Sequence, residues 1–299
     1  MLEPLPAQIP ARHLLLAIVV VAVWGSNFAV IKIALAHLPP LLFAALRFTL
    51  ALFPALLFLP RPRVAWAHLA AYGLLIGVGQ FGVLYVAMNG HITPGLASLV
   101  IQTQVFFTIG LAMHFANERV QGYQWVGLLL AAAGIVVIMF HTDGNTTVGG
   151  LAMVLFGAFC WAAGNITARH SAGVNMLAYV VWSSAFAAPP LFALSFAFEG
   201  WAAMRSGVVN ADVATWGAVL WQAWGNTLFG YAAWAWLLAR HPAAAISPLA
   251  LLVPVFGMGT AAWLLGEPLP GWKIMAALLV MAGLALSVLW PRWRNRTAG

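Results

Sequence analysis

Nine side chains that carry a hydrogen-bonding group or a ring face fall inside otherwise apolar stretches: Trp24, Asn27, Gln80, Tyr85, Gln102, Trp161, Asn165, Tyr231 and Trp234. A carboxamide offers two donors and an acceptor, and an indole or phenol couples a flat apolar face to one polar tip. Left unpartnered in an apolar medium, each such polar group costs about 1–3 kcal/mol. One Asn or Gln of this kind is explained by a bond between neighbouring helices, worth only about 0.6 kcal/mol. Gathered at similar depth, the set predicts a central substrate site, with amides for the polar part of a small molecule and rings for a flat or apolar part. Gln104, Asn226 and Ser247 lie at comparable depth. The chain holds no H-E-x-x-H zinc motif, no G-x-S-x-G nucleophile turn and no acidic metal-binding cluster. An intramembrane enzyme is therefore a distant alternative, and no metal or cofactor is expected.

Four charged residues stand at the ends of apolar stretches. Lys32 and Glu267 fall toward one side, Glu118 and Arg169 toward the other, which predicts two gating ion pairs broken alternately. Separate snorkelling of each charge to its own interface explains them equally well. No Asp or Glu lies deep within an apolar stretch, so a carboxylate proton relay is unsupported.

The elements that must position these residues follow from composition. Of 299 residues 64% are hydrophobic and only 6% charged, far from the roughly 25% charge of a soluble domain. Apolar runs near 14–35, 41–59, 68–89, 95–116, 123–140, 149–170, 175–198, 213–239, 243–265 and 271–290 predict an all-α membrane protein of ten transmembrane helices. Helices are favoured over a barrel because the short alternating pattern is missing. The single cysteine, Cys160, excludes an internal disulfide. The net charge of +7 is scattered rather than clustered, so no nucleic-acid partner is expected.

The second half repeats the first. Ser98, Phe107, Gly110, Glu118, Gly122 and Gly134 correspond to Ser247, Phe256, Gly259, Glu267, Gly271 and Gly283, while Trp24 and Lys32 correspond to Trp161 and Arg169. The two registers differ by an insertion near 199–212. Residues 1–145 and 146–299 are expected to form two five-helix repeats, and an odd number of spans inverts the second copy around a central cavity. With the N-terminus cytoplasmic, Arg12, Arg61, Arg63, Arg119, Arg169, Arg240, Arg292, Arg294 and Arg296 fall on the inner side, against Arg205 and Lys273 outside. That bias places both termini in the cytoplasm. Pro54, Pro94, Pro189, Pro190, Pro248 and Pro254 are the expected kinks or breaks.

Two sets of segments carry a family resemblance. In the first half they are Trp24-Gly25-Ser26-Asn27-Phe28 with Lys32, Ala45-Leu46-Arg47-Phe48, and Ala97-Ser98-Leu99 leading to Glu118, Gly122 and Gly134. In the second they are Ser247-Pro248-Leu249, Pro254-Val255-Phe256, Gly266-Glu267-Pro268 and Gly283. In their order and duplication they resemble the drug/metabolite transporter superfamily, ten-helix EamA-type group, and most closely aromatic amino-acid exporters of the YddG type. The resemblance implies a bacterial inner-membrane carrier exporting small metabolites, amino acids including aromatic ones, by alternating access. Its partners are then a small-molecule substrate and the lipid bilayer, with a monomer as the expected unit. Efflux of lipophilic or cationic drugs is the alternative. The halves depart from each other at Gly25-Ser26-Asn27 against Ala162-Ala163-Gly164, so they are not interchangeable.

Overall fold

A computed structural model describes residues 10–116, 121–142, 145–169, 173–241 and 246–297, and every regular element in them is helical. The first half contains α1 (Ala11–Ala34), α2 (Pro40–Leu52), α3 (Trp66–Met88), α4 (Pro94–Val100, Ile101–Thr103 and Gln104–Ala116) and α5 (Gly122–Met139). The second contains α6 (Val148–Arg169), α7 (Met176–Phe198), α8 (Gly200–Asn210), α9 (Val213–Leu220, Trp221–Phe229 and Gly230–Leu238), α10 (Ser247–Leu252 and Val253–Leu265) and α11 (Gly271–Thr297). Among the described residues nine of these are long and apolar enough to cross a membrane. The expected tenth, α9, has the length but is less apolar, because it carries five tryptophans with Gln222 and Asn226. The short α8 occupies the insertion that separates the two registers of the repeat.

The halves interdigitate. α1 packs on α9 and α10, and correspondingly α6 packs on α3 and α4; α2 lies against α7, and α5 against α11. Exchanging each helix for its repeat partner maps the α1 contacts onto those of α6, and the α2–α7 and α5–α11 contacts onto themselves. In lipid no hydrophobic force drives helices together, so close approach through small residues has to supply the attraction. A Cβ on Gly25 of α1 would collide with Phe256 Cβ and lie 2.6 Å from the Val253 carbonyl of α10. Gly127 and Gly283 oppose each other in the same way between α5 and α11.

Pro54 stands at the break after α2 and Pro248 within the 3₁₀ stretch of α10, but the two longest departures from α geometry hold no proline. Leu74–Gly82 in α3 and Trp221–Phe229 in α9 are π-helical, nine residues each in corresponding helices. The fourth helix of each half contains a 3₁₀ stretch, Ile101–Thr103 and Ser247–Leu252. Pro94 and Pro248 merely open their helical runs and Pro254 sits in a first turn, while Pro189 and Pro190 alone of the six lie inside a helix. Near the start of α1 His13 meets His241 beyond the end of α9, and Tyr123 of α5 meets Trp290 of α11. One end of the molecule therefore carries the start of α1 and the later turns of α11. At the other, far end, His141 stacks on Trp272 and the Thr147 N–H donates to the His91 carbonyl.

Candidate functional site

A cavity of about 1010 Å³ lies between the halves. Trp24, Asn27, Gln80 and Gln102 line it from the first half, and Trp161, Asn165, Tyr231 and Trp234 from the second. The ninth residue, Tyr85, does not reach it. Its ring is fully buried against Phe43 at 4.6 Å, and its hydroxyl donates to Gln222 Oε1 at 3.0 Å. The other eight converge because the helices that carry them are those brought together by exchange of the halves.

Three aromatic side chains form one wall. The Trp24 ring lies 5.9 Å from Tyr231 and 5.1 Å from Trp234, and its Nε1 donates to the Asn226 carbonyl at 3.2 Å. That approach requires Gly230, where a Cβ would land on the Trp24 indole. Opposite them, Asn165 Nδ2 donates to Gln104 Oε1 at 3.1 Å. The two π-helical stretches carry Gln80 and Phe81 on one side and Asn226 on the other, all in the cavity wall. A π turn is rare and recurs at functional sites. Asn27 and Asn226 are 3% and 4% exposed, and the Oδ1 of each lacks a hydrogen-bond partner. A buried acceptor without a partner is costly, so each oxygen can take a donor once a small shift of the wall uncovers it.

Phe81, Tyr72, Gln104 and Asn226 also line the cavity without belonging to the nine residues selected from the sequence. For Gln104 and Asn226 the signal existed, since both are amides at the same depth. For Phe81 and Tyr72 there is none, because an aromatic residue in an apolar helix looks like any other core residue.

The cavity extends to Gly173, Asn175, Leu238, Ala239 and Val288, so it opens at the end where α1 begins. The far end is closed. There Lys273 Nζ donates to Glu267 Oε1 at 2.8 Å, and the other carboxylate oxygen accepts the Gly95 N–H at 2.9 Å. The expected partner of Glu267 was Lys32. That pair is not formed: Lys273 stands six residues further along the same connection and takes the carboxylate, while Lys32 donates to the Met88 carbonyl at 3.5 Å. Of the second expected pair, Glu118 and the side chain of Arg169 lie outside the described residues. A further carboxylate, Glu199, accepts the Leu41 and Leu42 N–H groups at 2.6 and 3.1 Å at the start of α2. Beside it Asp212 caps α9, and its bonds from the Thr215 N–H and side chain hold its carboxyl below the usual value, assisted by His37.

Many apolar helices, two matching halves and an aromatic and amide cavity between them define a multi-pass membrane protein built for a small solute. The chain belongs to the EamA-like transporter family, whose sequence profile matches residues 11–140 and again 148–289. It is 41% identical over 286 residues to a probable amino-acid metabolite efflux pump of Escherichia coli (strain K12), covering 94% of this chain and 96% of the relative. It is 26% identical to a probable terminal-alkyne amino-acid exporter of Streptantibioticus cattleyicolor, over 90% and 91% of the two chains. A crystal structure 20% identical in sequence shares the fold, with a TM-score of 0.63 over 95% of this chain and 99% of the other.

Proposed function

We propose that the chain is a carrier, not an enzyme, that exports amino acids and related metabolites, aromatic ones included, across a bacterial inner membrane. The observation that carries this reading is the cavity itself: a Trp24–Tyr231–Trp234 face beside the buried, unpartnered amide oxygens of Asn27 and Asn226. An aromatic side chain fits against the rings, and the amide oxygens accept from the ammonium group. The names of the two relatives support the same substrate class.

In this reading α9 is the tenth span, residues 1–145 and 146–299 are inverted repeats, and both termini are cytoplasmic. The cavity is then open to the cytoplasm, as loading for export requires. Rocking the halves about the site closes that mouth and parts Gly95 from Glu267 at the far end. Trp24, Asn27, Gln80, Gln102, Trp161, Asn165, Tyr231 and Trp234 contact the substrate, while Tyr85 supports the wall from behind.

The test is exchange of labelled phenylalanine in liposomes holding the purified protein. Exchange that saturates, and that unlabelled aromatic amino acids compete away, is expected. Uptake equal to that of empty liposomes across a panel of amino acids would sink the reading, as would chemical conversion of the label.

A further inference from the structure

Among the described residues Arg47 is the largest side chain buried to within 2% of completely, and none of them supplies it a counter-ion. It is 1% exposed in the middle of α2. Its Nη1 and Nη2 donate to the Tyr85 hydroxyl and to Thr227 Oγ1, both at 3.1 Å, and its Nε has no partner. These acceptors are neutral, and among the described residues no carboxylate stands within ion-pair distance of it. Glu199, on the neighbouring connection, is occupied by two backbone N–H groups and Ser195. A guanidinium does not shed its proton, so the charge persists.

Its position gives that charge an outlet. The guanidinium carbon lies 3.6 Å from the centroid of the Phe81 ring, and Phe81 is part of the cavity wall. The cation is thus one residue behind the site. Among the described residues the wall contains no Asp, Glu, Lys or Arg that could cancel it. Between low-dielectric walls an uncancelled charge is felt across several ångströms.

We propose that Arg47 sets the charge selectivity of the cavity: cargo must carry a carboxylate, as a zwitterion or an anion, and organic cations are rejected. This rests on the reading of the cavity as an amino-acid site and sharpens it. The carboxylate offsets the buried guanidinium through the field, without touching it, and the ammonium of a zwitterion remains free for Asn27 and Asn226. Arg47 acts through the wall and is a specificity residue rather than a contact residue.

Three labelled probes that share one side chain separate the possibilities: phenylalanine, its carboxamide phenylalaninamide, and N-acetylphenylalanine. In liposomes at neutral pH the wild type should exchange phenylalanine and N-acetylphenylalanine at least about tenfold faster than the cationic amide, the scale of one charge at this range. Arg47→Lys should keep that ratio and Arg47→Gln should collapse it toward one. Loss of packing alone would slow all three probes together and leave the ratio intact. The wild-type ratio needs no variant, so a misfolded Arg47→Gln does not shield the proposal. Equal exchange of all three by the wild type overturns charge selection while leaving amino-acid transport standing. An unchanged ratio in Arg47→Gln overturns it as well. Exchange of none of the three sinks the amino-acid reading and this proposal together.

Discussion

At the scale of single residues, the buried Glu267–Lys273 pair is the sharpest case. Both side chains are almost fully buried, at 6% and 4% exposure. Removing one partner strands the other charge in a dry site, which typically costs about 3–5 kcal/mol. Glu267→Gln should therefore lower the unfolding midpoint of the detergent-solubilised protein markedly. The double reversal Glu267→Lys with Lys273→Glu should recover part of it, and Glu267→Lys with Lys32→Glu none. Recovery by the Lys32 combination would restore the pairing that the repeat predicts. Asp212 supplies a pH test. The Thr215 bonds hold its carboxyl below the usual carboxylate range, so its contribution is present at neutral pH and lost as pH falls through the folded pKa. The stability difference between wild type and Asp212→Ala should hold constant above about pH 5 and shrink only as the pH falls below about 4. Residue types made most of the cavity legible, because a polar group in lipid has to be explained. They gave no warning of Tyr85, whose hydroxyl is spent on Arg47 and Gln222 behind the wall. Nor did they single out Arg47, which in sequence looks like a charge near a helix end.

Among the elements, α3 and α9 owe their usefulness to irregular geometry. A π stretch holds one more residue per hydrogen-bonded ring than an α turn, which re-aims everything beyond it. In α9 that places Asn226 and, further on, Tyr231 and Trp234 in one wall. Deleting Leu228 should rotate the later part of α9 by about 100°, one residue's turn of an α-helix. The two rings then leave the cavity. Exchange of phenylalanine should fall to the background of empty liposomes while the protein still reaches the membrane. Wild-type exchange in this variant would show that the ring positions do not matter. The paired π stretches were not legible. Hydrophobic runs and propensity describe where a helix lies, and neither distinguishes an i→i+5 bond from an i→i+4 bond. Prolines are visible and so attracted the expectation, yet a proline that opens a helix costs nothing there, since its missing N–H would have no partner.

For the whole molecule, the repeat and the membrane class were readable because they rest on spacing and composition summed over hundreds of residues. Which end the cavity faces was not, since that depends on how halves with the same sequence pattern settle against each other. The proposed orientation is open to chemical labelling. Cys160 is the chain's sole cysteine and is buried, so Cys160→Ala gives an unreactive background. In it, Ala239→Cys at the mouth should react with a membrane-impermeant maleimide in inside-out vesicles and not in intact spheroplasts. The opposite pattern would place the mouth, and the start of α1 with it, outside the cell.

Glu267 and Lys273 belong to the same half and lie six residues apart, whereas Gly95 comes from the other half. In the proposed rocking cycle the two charges therefore travel together as one neutral unit when the halves separate at the far end. The step gives up one charge-assisted hydrogen bond, on the order of 1.5–3 kcal/mol, and leaves no stranded ion. An opening transition of this kind hydrates no new net charge, so its speed is set by side-chain packing and is indifferent to the salt concentration of the medium it opens into.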